Sequence, residues 1–140
     1  MTTVVLAVDS DEQCLDAVRK TAERLSLDLL EAADPDAVEA LVGLRTPEVA
    51  LVAIDAVGAR CSEVFASLGR AAPRMPIILL GNGDWRVMAG VRSLASRYHL
   101  KPVASFSRPL EAQPIERVLS TLFRNVPTIT PTEVSSGMRE

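Results

Sequence analysis

The stretch Glu48-Val-Ala-Leu-Val-Ala-Ile-Asp55 constrains the fold of this chain more than any other. A strand with one wet face alternates polar and apolar residues. Here every side chain between the two acids is apolar. A run this short, apolar on both faces and rich in Val and Ile, is a strand covered on both sides, as in the middle of a parallel sheet. Its last residue, Asp55, is a carboxylate at the end of the strand, the rim where open α/β sheets place their chemistry.

The rest of the chain alternates around that strand. Thr3–Val8 is a second short apolar run, and it too ends in acid, Asp9-Ser10-Asp11. Cys14, Leu15, Val18, Ala22 and Leu25 then recur at helical spacing, which predicts a helix from about Glu12 to Leu25. Leu27–Ala32 is the second strand. Asp34-Pro35-Asp36 combines a capping acid, a Pro at the first helical position and an acid in the first turn, and it opens a helix that runs to about Leu44. After Asp55 comes a loop, Ala56 to Arg60, and then a short helix from Ser62-Glu63 on Val64, Phe65 and Leu68. Pro76–Leu80 is the fourth strand, closed by the turn Gly81-Asn82-Gly83. Asp84 caps a long helix to about His99, with Trp85 as a staple on the core. Val103–Phe106 is the fifth strand, ended by Arg108-Pro109, and Pro114 opens a last helix on Ile115, Val118, Leu119 and Leu122. Strands and helices that alternate with short connections imply right-handed crossovers, a parallel sheet and a three-layer α/β sandwich. Residues 1–125 make one domain in this scheme, and residues 126–140, polar and Pro-spotted, are expected to be a linker toward a missing or short C-terminal segment.

Composition excludes several classes. Net charge is −3 and the pI about 5.2, so no global basic field is present to hold nucleic acid or an anionic membrane. No basic stretch leads into a signal-type apolar segment, and no apolar run approaches the roughly 20 residues of a bilayer span. With a single His, and with Cys14 and Cys61 outside any ligand spacing, a zinc site is not expected. Both cysteines are expected as free thiols that pack, in a reducing cytoplasm.

The strand ends carry what chemistry there is. Asp9-Ser10-Asp11, Asp55, Gly81-Asn82-Gly83 and Ser107-Arg108-Pro109 all meet at one edge of such a sheet. Acids that close repel one another unless a cation lies between them, and hard oxygen ligands favour Mg²⁺. An aspartate in that setting can accept a phosphoryl group. A small flavodoxin-like enzyme or nucleotide binder fits less well: the first strand is followed by Asp-Ser-Asp-Glu rather than a Gly-rich loop, and an acidic loop repels phosphate.

Strand-end carboxylates at these spacings, with a basic residue before Pro after the fifth strand, resemble the receiver domain of two-component response regulators over residues 3–124. The resemblance implies a flavodoxin-like, CheY-like sheet of order 2-1-3-4-5. It implies a phosphoryl group taken at Asp55 from a histidine kinase, and Mg²⁺ held by the acids after strand one with Asp55. Asp9 and Ser10 stand in the two acid places, with Asp11 adjacent. Gly81 stands where the family has a Thr or Ser that bonds the phosphoryl group, Arg108 where it has Lys, and Ser105, with Phe106 beside it, where it has an aromatic switch. The metal set is therefore Asp9, Ser10, Asp11 and Asp55, and the switch set Asp55, Gly81 and Arg108. The family commonly dimerises through the surface of its last two long helices and fifth strand, which implies a homodimer there. Leu94–Leu110 is also similar to receivers attached to EAL-type cyclic-di-GMP phosphodiesterases, and Ile129–Glu140 to the segment leading into that domain.

Two functions follow. One is a non-enzymatic signal receiver, phosphorylated at Asp55, that controls an attached or partner output such as a cyclic-di-GMP phosphodiesterase. The other is a phosphorylation-independent pseudo-receiver that docks or dimerises. Gly81, Ser10 and Arg108 favour the second, and Arg108 paired permanently with Asp55 would fix a single state. Simpler roles compete at each position. Asp11 can cap the first helix, and Arg86, Arg92 and Arg97 can be a solvated face.

Overall fold

The computed structural model describes residues 3–123, and the expected linker at 126–140 lies outside them. Five parallel strands, β1 (Val4–Val8), β2 (Asp28–Ala32), β3 (Val49–Ala53), β4 (Pro76–Gly81) and β5 (Lys101–Ser107), form one sheet of order β2-β1-β3-β4-β5. The order accounts for the composition of each strand. β1 and β3 lie inside the sheet and every residue of both is buried, whereas the edge strands β2 and β5 admit Asp28, Glu31, Lys101 and Ser105.

Side chains of each strand point alternately to the two faces, and each face has its own core. Val5, Ala7, Leu51, Ala53, Ile78 and Leu80 pack against Leu15 and Val18 of α1 (Glu12–Arg24) and Ile115 and Leu119 of α6 (Ala112–Leu122). Leu6, Val8, Val52, Ile77 and Leu79 pack on the opposite face. Their partners are Val38 of α2 (Pro35–Leu44), Phe65 and Leu68 of α4 (Cys61–Ala71), and Met88 and Ala95 of α5 (Trp85–Arg97). The predicted three layers are therefore present, with two long helices on one face and three on the other.

Short polar side chains set the helix starts. Asp11, Asp34 and Asp84 each accept a backbone N–H of the first turn of the helix that follows, from Gln13, Ala37 and Arg86 at 3.2, 2.9 and 3.0 Å. Helix α6 begins at Ala112 rather than Pro114. A first-turn N–H has no partner within the helix, so Pro is tolerated at its third position. Helix α5 ends at Arg97 rather than His99. His99 takes a left-handed backbone (φ 67°) and Leu100 N–H closes on the Ala95 carbonyl at 3.1 Å.

Three further expectations are corrected. β5 runs from Lys101 to Ser107, longer than the apolar run Val103–Phe106, because β4 pairs with it from Pro76 to Gly81 around a register shift. Strand β3 stops at Ala53, and the expected loop is a helical turn, α3 (Ile54–Val57), continued by a 3₁₀ turn to Arg60. Gly58 (φ 55°) closes that turn with its N–H on the Ile54 carbonyl, so Asp55 sits in the first turn of α3 and not on the strand itself. Trp85 is no staple. It precedes the first inward position of α5, which Met88 takes, and it is 72% exposed with the Arg86 guanidinium 5.6 Å above its ring.

Candidate functional site

All five strands run the same way, so their carboxyl ends emerge on one edge. The strand order reverses between β1 and β3, the switch point where such sheets open a crevice. Asp9 follows β1 there, Asp55 follows β3, and Arg108 follows β5. An open cleft of about 310 Å³ is lined by Asp9, Ser10, Asp11, Asp55, Ala56 and Arg108.

Arg108 organises the cleft. Its Nε and Nη2 donate to Asp55 Oδ2 and Oδ1 at 3.0 and 2.8 Å, a two-pronged contact with one carboxylate. Nη2 also donates to Asp9 Oδ1 at 2.8 Å, and Nη1 to Asp11 Oδ2 at 2.9 Å. One guanidinium thus serves three carboxylates. A lysine ammonium has its donors on a single atom and cannot span three acids this way. The backbone N–H of Arg108 is fixed by the Gly81 carbonyl at 3.1 Å, and the Arg108–Pro109 peptide is cis.

The three acids differ in environment. The Asp9 side chain is 1% exposed, Asp11 42% and Asp55 53%. Burial alone would raise the Asp9 carboxyl. The Arg108 hydrogen bond, the Cys14 thiol and the Asp11 backbone N–H outweigh it and hold Asp9 below the ordinary range. Asp9 Oδ1 accepts from the backbone N–H groups of Ser10 and Asp11, at 2.7 and 3.1 Å, in addition to Arg108. Asp9 Oδ2 is buried without a full hydrogen-bond partner, and the neighbouring Cys14 thiol acts on the carboxylate only as a weak donor. Burial, then Asp9, push that thiol up to about 12, so it stays protonated. Asp55 is lowered first by its hydrogen bonds to Arg108. Arg108 is held more firmly charged, first by Asp55 and then by Asp9.

The structure brings Asp9, Asp11, Asp55 and Arg108 together. Asp11 does both things open to it, capping α1 with Oδ1 and pairing with Arg108 through Oδ2. Ser10 contributes its backbone N–H, and no hydrogen bond of its hydroxyl to the cluster is present among the described residues. Gly81 is buried, and a Cβ there would lie 2.6 Å from Met88 Sδ. The thioether therefore fills the room that a hydroxyl side chain would need. At the aromatic position, Ser105 faces α5 and its Oγ accepts from Arg92 Nη1 at 3.1 Å. Its neighbour Phe106 points the other way, into the core beneath α1 and α6. Met88, Cys14 and Arg92 carry no motif. Only their inward or flanking positions on helices hinted at a role, and nothing in the spacing tied them to this cleft.

Among the described residues, no group of three or more His, Cys, Asp or Glu side chains is placed to hold a metal ion. The carboxylates are arranged around a guanidinium instead: with Arg108 in place, Asp9 Oδ2 is the one oxygen of the three acids left without a partner, and it is buried.

No protein-family model matches the sequence, and no curated protein matches it. Solved structures do. A response regulator from Thermotoga maritima superposes with TM-score 0.72 at 12% identity, over 89% of this chain and 100% of its own. The signal receiver domain of an HD domain-containing protein from Pseudomonas fluorescens Pf-5 gives 0.73 at 19%, over 89% and 96%. The receiver domain of a sensor histidine kinase from Pseudomonas aeruginosa PAO1, which has a magnesium ion coordinated in its active-site cleft, gives 0.64 at 14%, over 86% and 97%. The fold of this chain is the flavodoxin-like receiver fold.

Proposed function

We propose that this chain is a receiver-like signalling module that works by docking and does not need phosphoryl transfer to Asp55. The observation that carries this reading is Arg108, whose donors occupy both oxygens of Asp55. A carboxylate engaged on both oxygens by a guanidinium is a poor nucleophile. Met88 in the space beside Gly81 adds to it, because the position that would sense a phosphoryl group has no hydroxyl, and a side chain there would have to push the Met88 thioether aside. The module takes no free metabolite as substrate and acts through what it touches.

Phosphorylation of Asp55 by a histidine kinase is the second reading. It is favoured by the exposure of Asp55 at the mouth of the cleft and by the receiver fold itself. It requires Arg108 to swing aside, with Asp9 and Asp55 then free to hold Mg²⁺. Incubating the chain with acetyl phosphate and Mg²⁺ separates the two. No adduct by intact-mass measurement is expected. An adduct present on the wild type and absent from Asp55→Asn would establish the second reading and overturn the first.

The docking face in this proposal is α5, β5 and α6. Arg86, Arg92, Arg97 and Lys101 lie along α5 and β5 with no acid paired to them among the described residues, and Trp85 and Val87 are exposed at one end. The cations on α5 and β5 suit an acidic surface on the partner. An output attached through residues 126–140 belongs to the same proposal. The likeness of Leu94–Leu110 to receivers of EAL-type regulators makes a cyclic-di-GMP phosphodiesterase the first output to test. The two buried free thiols suit a reducing cytoplasm. No helix among the described residues is long and apolar enough to cross a membrane.

A further inference from the structure

The geometry points to Arg108 as the cation of this cleft: its guanidinium stands where a divalent metal would, pairing the buried Asp9 and bridging Asp11 and Asp55, so the pocket is held together from within and is independent of Mg²⁺. This rests on, and deepens, the phosphorylation-independent reading above. A cluster of carboxylates at a strand switch point needs a positive charge wherever one of them is buried. Asp9 is that one, at 1% exposure, and it cannot shed its charge into water. Asp11 and Asp55 are half exposed and are screened by solvent. A single well-placed cation is therefore enough, provided that it reaches Asp9 and bridges the other two. Arg108 does so with Nη2 on Asp9 and Asp55, Nη1 on Asp11 and Nε on Asp55.

Two departures in the sequence fit together on this account. Ser10 removes one carboxylate from the edge, lowering the charge to be balanced. Arg108 supplies a longer cation with a fork of donors, at the end of a strand whose backbone is fixed on Gly81. With three acids still at the edge, the separate nitrogens of the guanidinium let one side chain meet all three.

The arginine also excludes the metal. Asp9 Oδ1 already accepts three N–H donors and both Asp55 oxygens are taken; the one oxygen left without a partner, Asp9 Oδ2, is buried, so a divalent ion would have to displace Arg108 to gain more than that single ligand. Removing the guanidinium leaves three carboxylates without a countercharge, and a divalent ion is then the natural replacement. Mg²⁺ affinity should accordingly be hidden in the wild type and uncovered by substitution at 108.

The test is calorimetric titration of MgCl₂, at matched ionic strength, into the full chain as wild type, Arg108→Ala, Arg108→Lys and Asp9→Asn/Arg108→Ala. Wild type is expected to show no saturable binding at millimolar Mg²⁺. Arg108→Ala should bind about tenfold or more tightly and melt at higher temperature as Mg²⁺ is added. Arg108→Lys keeps a countercharge, so it tests the same point should the alanine variant fail to fold, and it should gain affinity to a smaller degree. Asp9→Asn in the double variant should abolish the gain. Wild type binding as tightly as Arg108→Ala would overturn the inference, and so would no binding by either single variant. No phosphodonor is present, so either failure leaves the phosphorylation-independent reading to the acetyl phosphate experiment.

Discussion

Restoring a hydroxyl at position 81 is the most informative perturbation of the site. Gly81 is the last residue of β4, and its backbone is not in the left-handed region, so a side chain there is sterically limited only by its neighbours. The neighbour is Met88. A Cβ on residue 81 would stand 2.6 Å from Sδ, 3.4 Å from Cε and 3.5 Å from Cγ. Ordinary contacts fall at roughly 3.5–4.0 Å, so the sulfur must move by about 1 Å. Met88 is buried on the inner face of α5, and forcing atoms into a filled core costs about 1–3 kcal/mol. Replacing Gly in a strand returns about 0.5–1 kcal/mol through the unfolded chain. Gly81→Ser should therefore destabilise by about 0–2 kcal/mol, toward the low end because the group that must yield is the end of a flexible Met side chain, and Met88→Ala alone by about 2–4 kcal/mol. Together they should cost about 1 kcal/mol less than the sum, because the alanine vacates the space the serine needs. Urea unfolding followed by circular dichroism measures all three at constant m-value. Additivity within about 0.5 kcal/mol would refute the claim that Met88 fills the room beside Gly81.

Three other outcomes follow from the same structure. Gly69→Ala should lower stability by about 1–3 kcal/mol, read as a fall in melting temperature, because its Cβ would strike the backbone carbonyl of Tyr98, which cannot swing away as a side chain can. Asp9 and Asp55 are both lowered in the folded state, so their contribution to stability is fully present above the unfolded carboxylate pKa of about 4 and is lost as pH falls through their folded values. Unfolding midpoints should drop in that acid range, more shallowly for Asp9→Asn, and at pH 7 Asp9→Asn should cost about 2–3 kcal/mol against about 1 or less for the half-exposed Asp55→Asn. Equal losses for the two variants would contradict the burial difference. Trp85→Ala should leave stability within about 0.5 kcal/mol, and the wild-type indole should emit at long wavelength and quench readily with iodide, since Trp85 is exposed; a blue-shifted, protected emission would place it in the core after all.

The elements were legible wherever one local rule governed them. Val4–Val8 and Val49–Ala53 are apolar throughout because both faces of an inner parallel strand are covered. Asp11, Asp34 and Asp84 mark helix starts because a free first-turn N–H needs an acceptor beside it in sequence. The boundaries that shifted were those with competing signals. Ile54-Asp55 continues an apolar run, yet it coils, because the turn is closed by the left-handed Gly58 and not by anything in the run itself.

By itself, then, the sequence determined the alternation of strands and helices, the parallel sheet, and the group of charged residues that its strand ends bring to one edge, since period and capping act over a few residues. Tertiary structure alone decided what those residues do to one another. That Arg108 spans Asp9, Asp11 and Asp55, that Asp9 is the buried member, that Met88 fills the space beside Gly81 and that Gly69 lies under Tyr98 all depend on distances across the fold. Arg108 is separated from those acids by 53 to 99 positions in the chain, and no local preference reaches that far. Only packing two layers of helices against the sheet sets such distances, and they decide whether the edge holds a metal or an arginine.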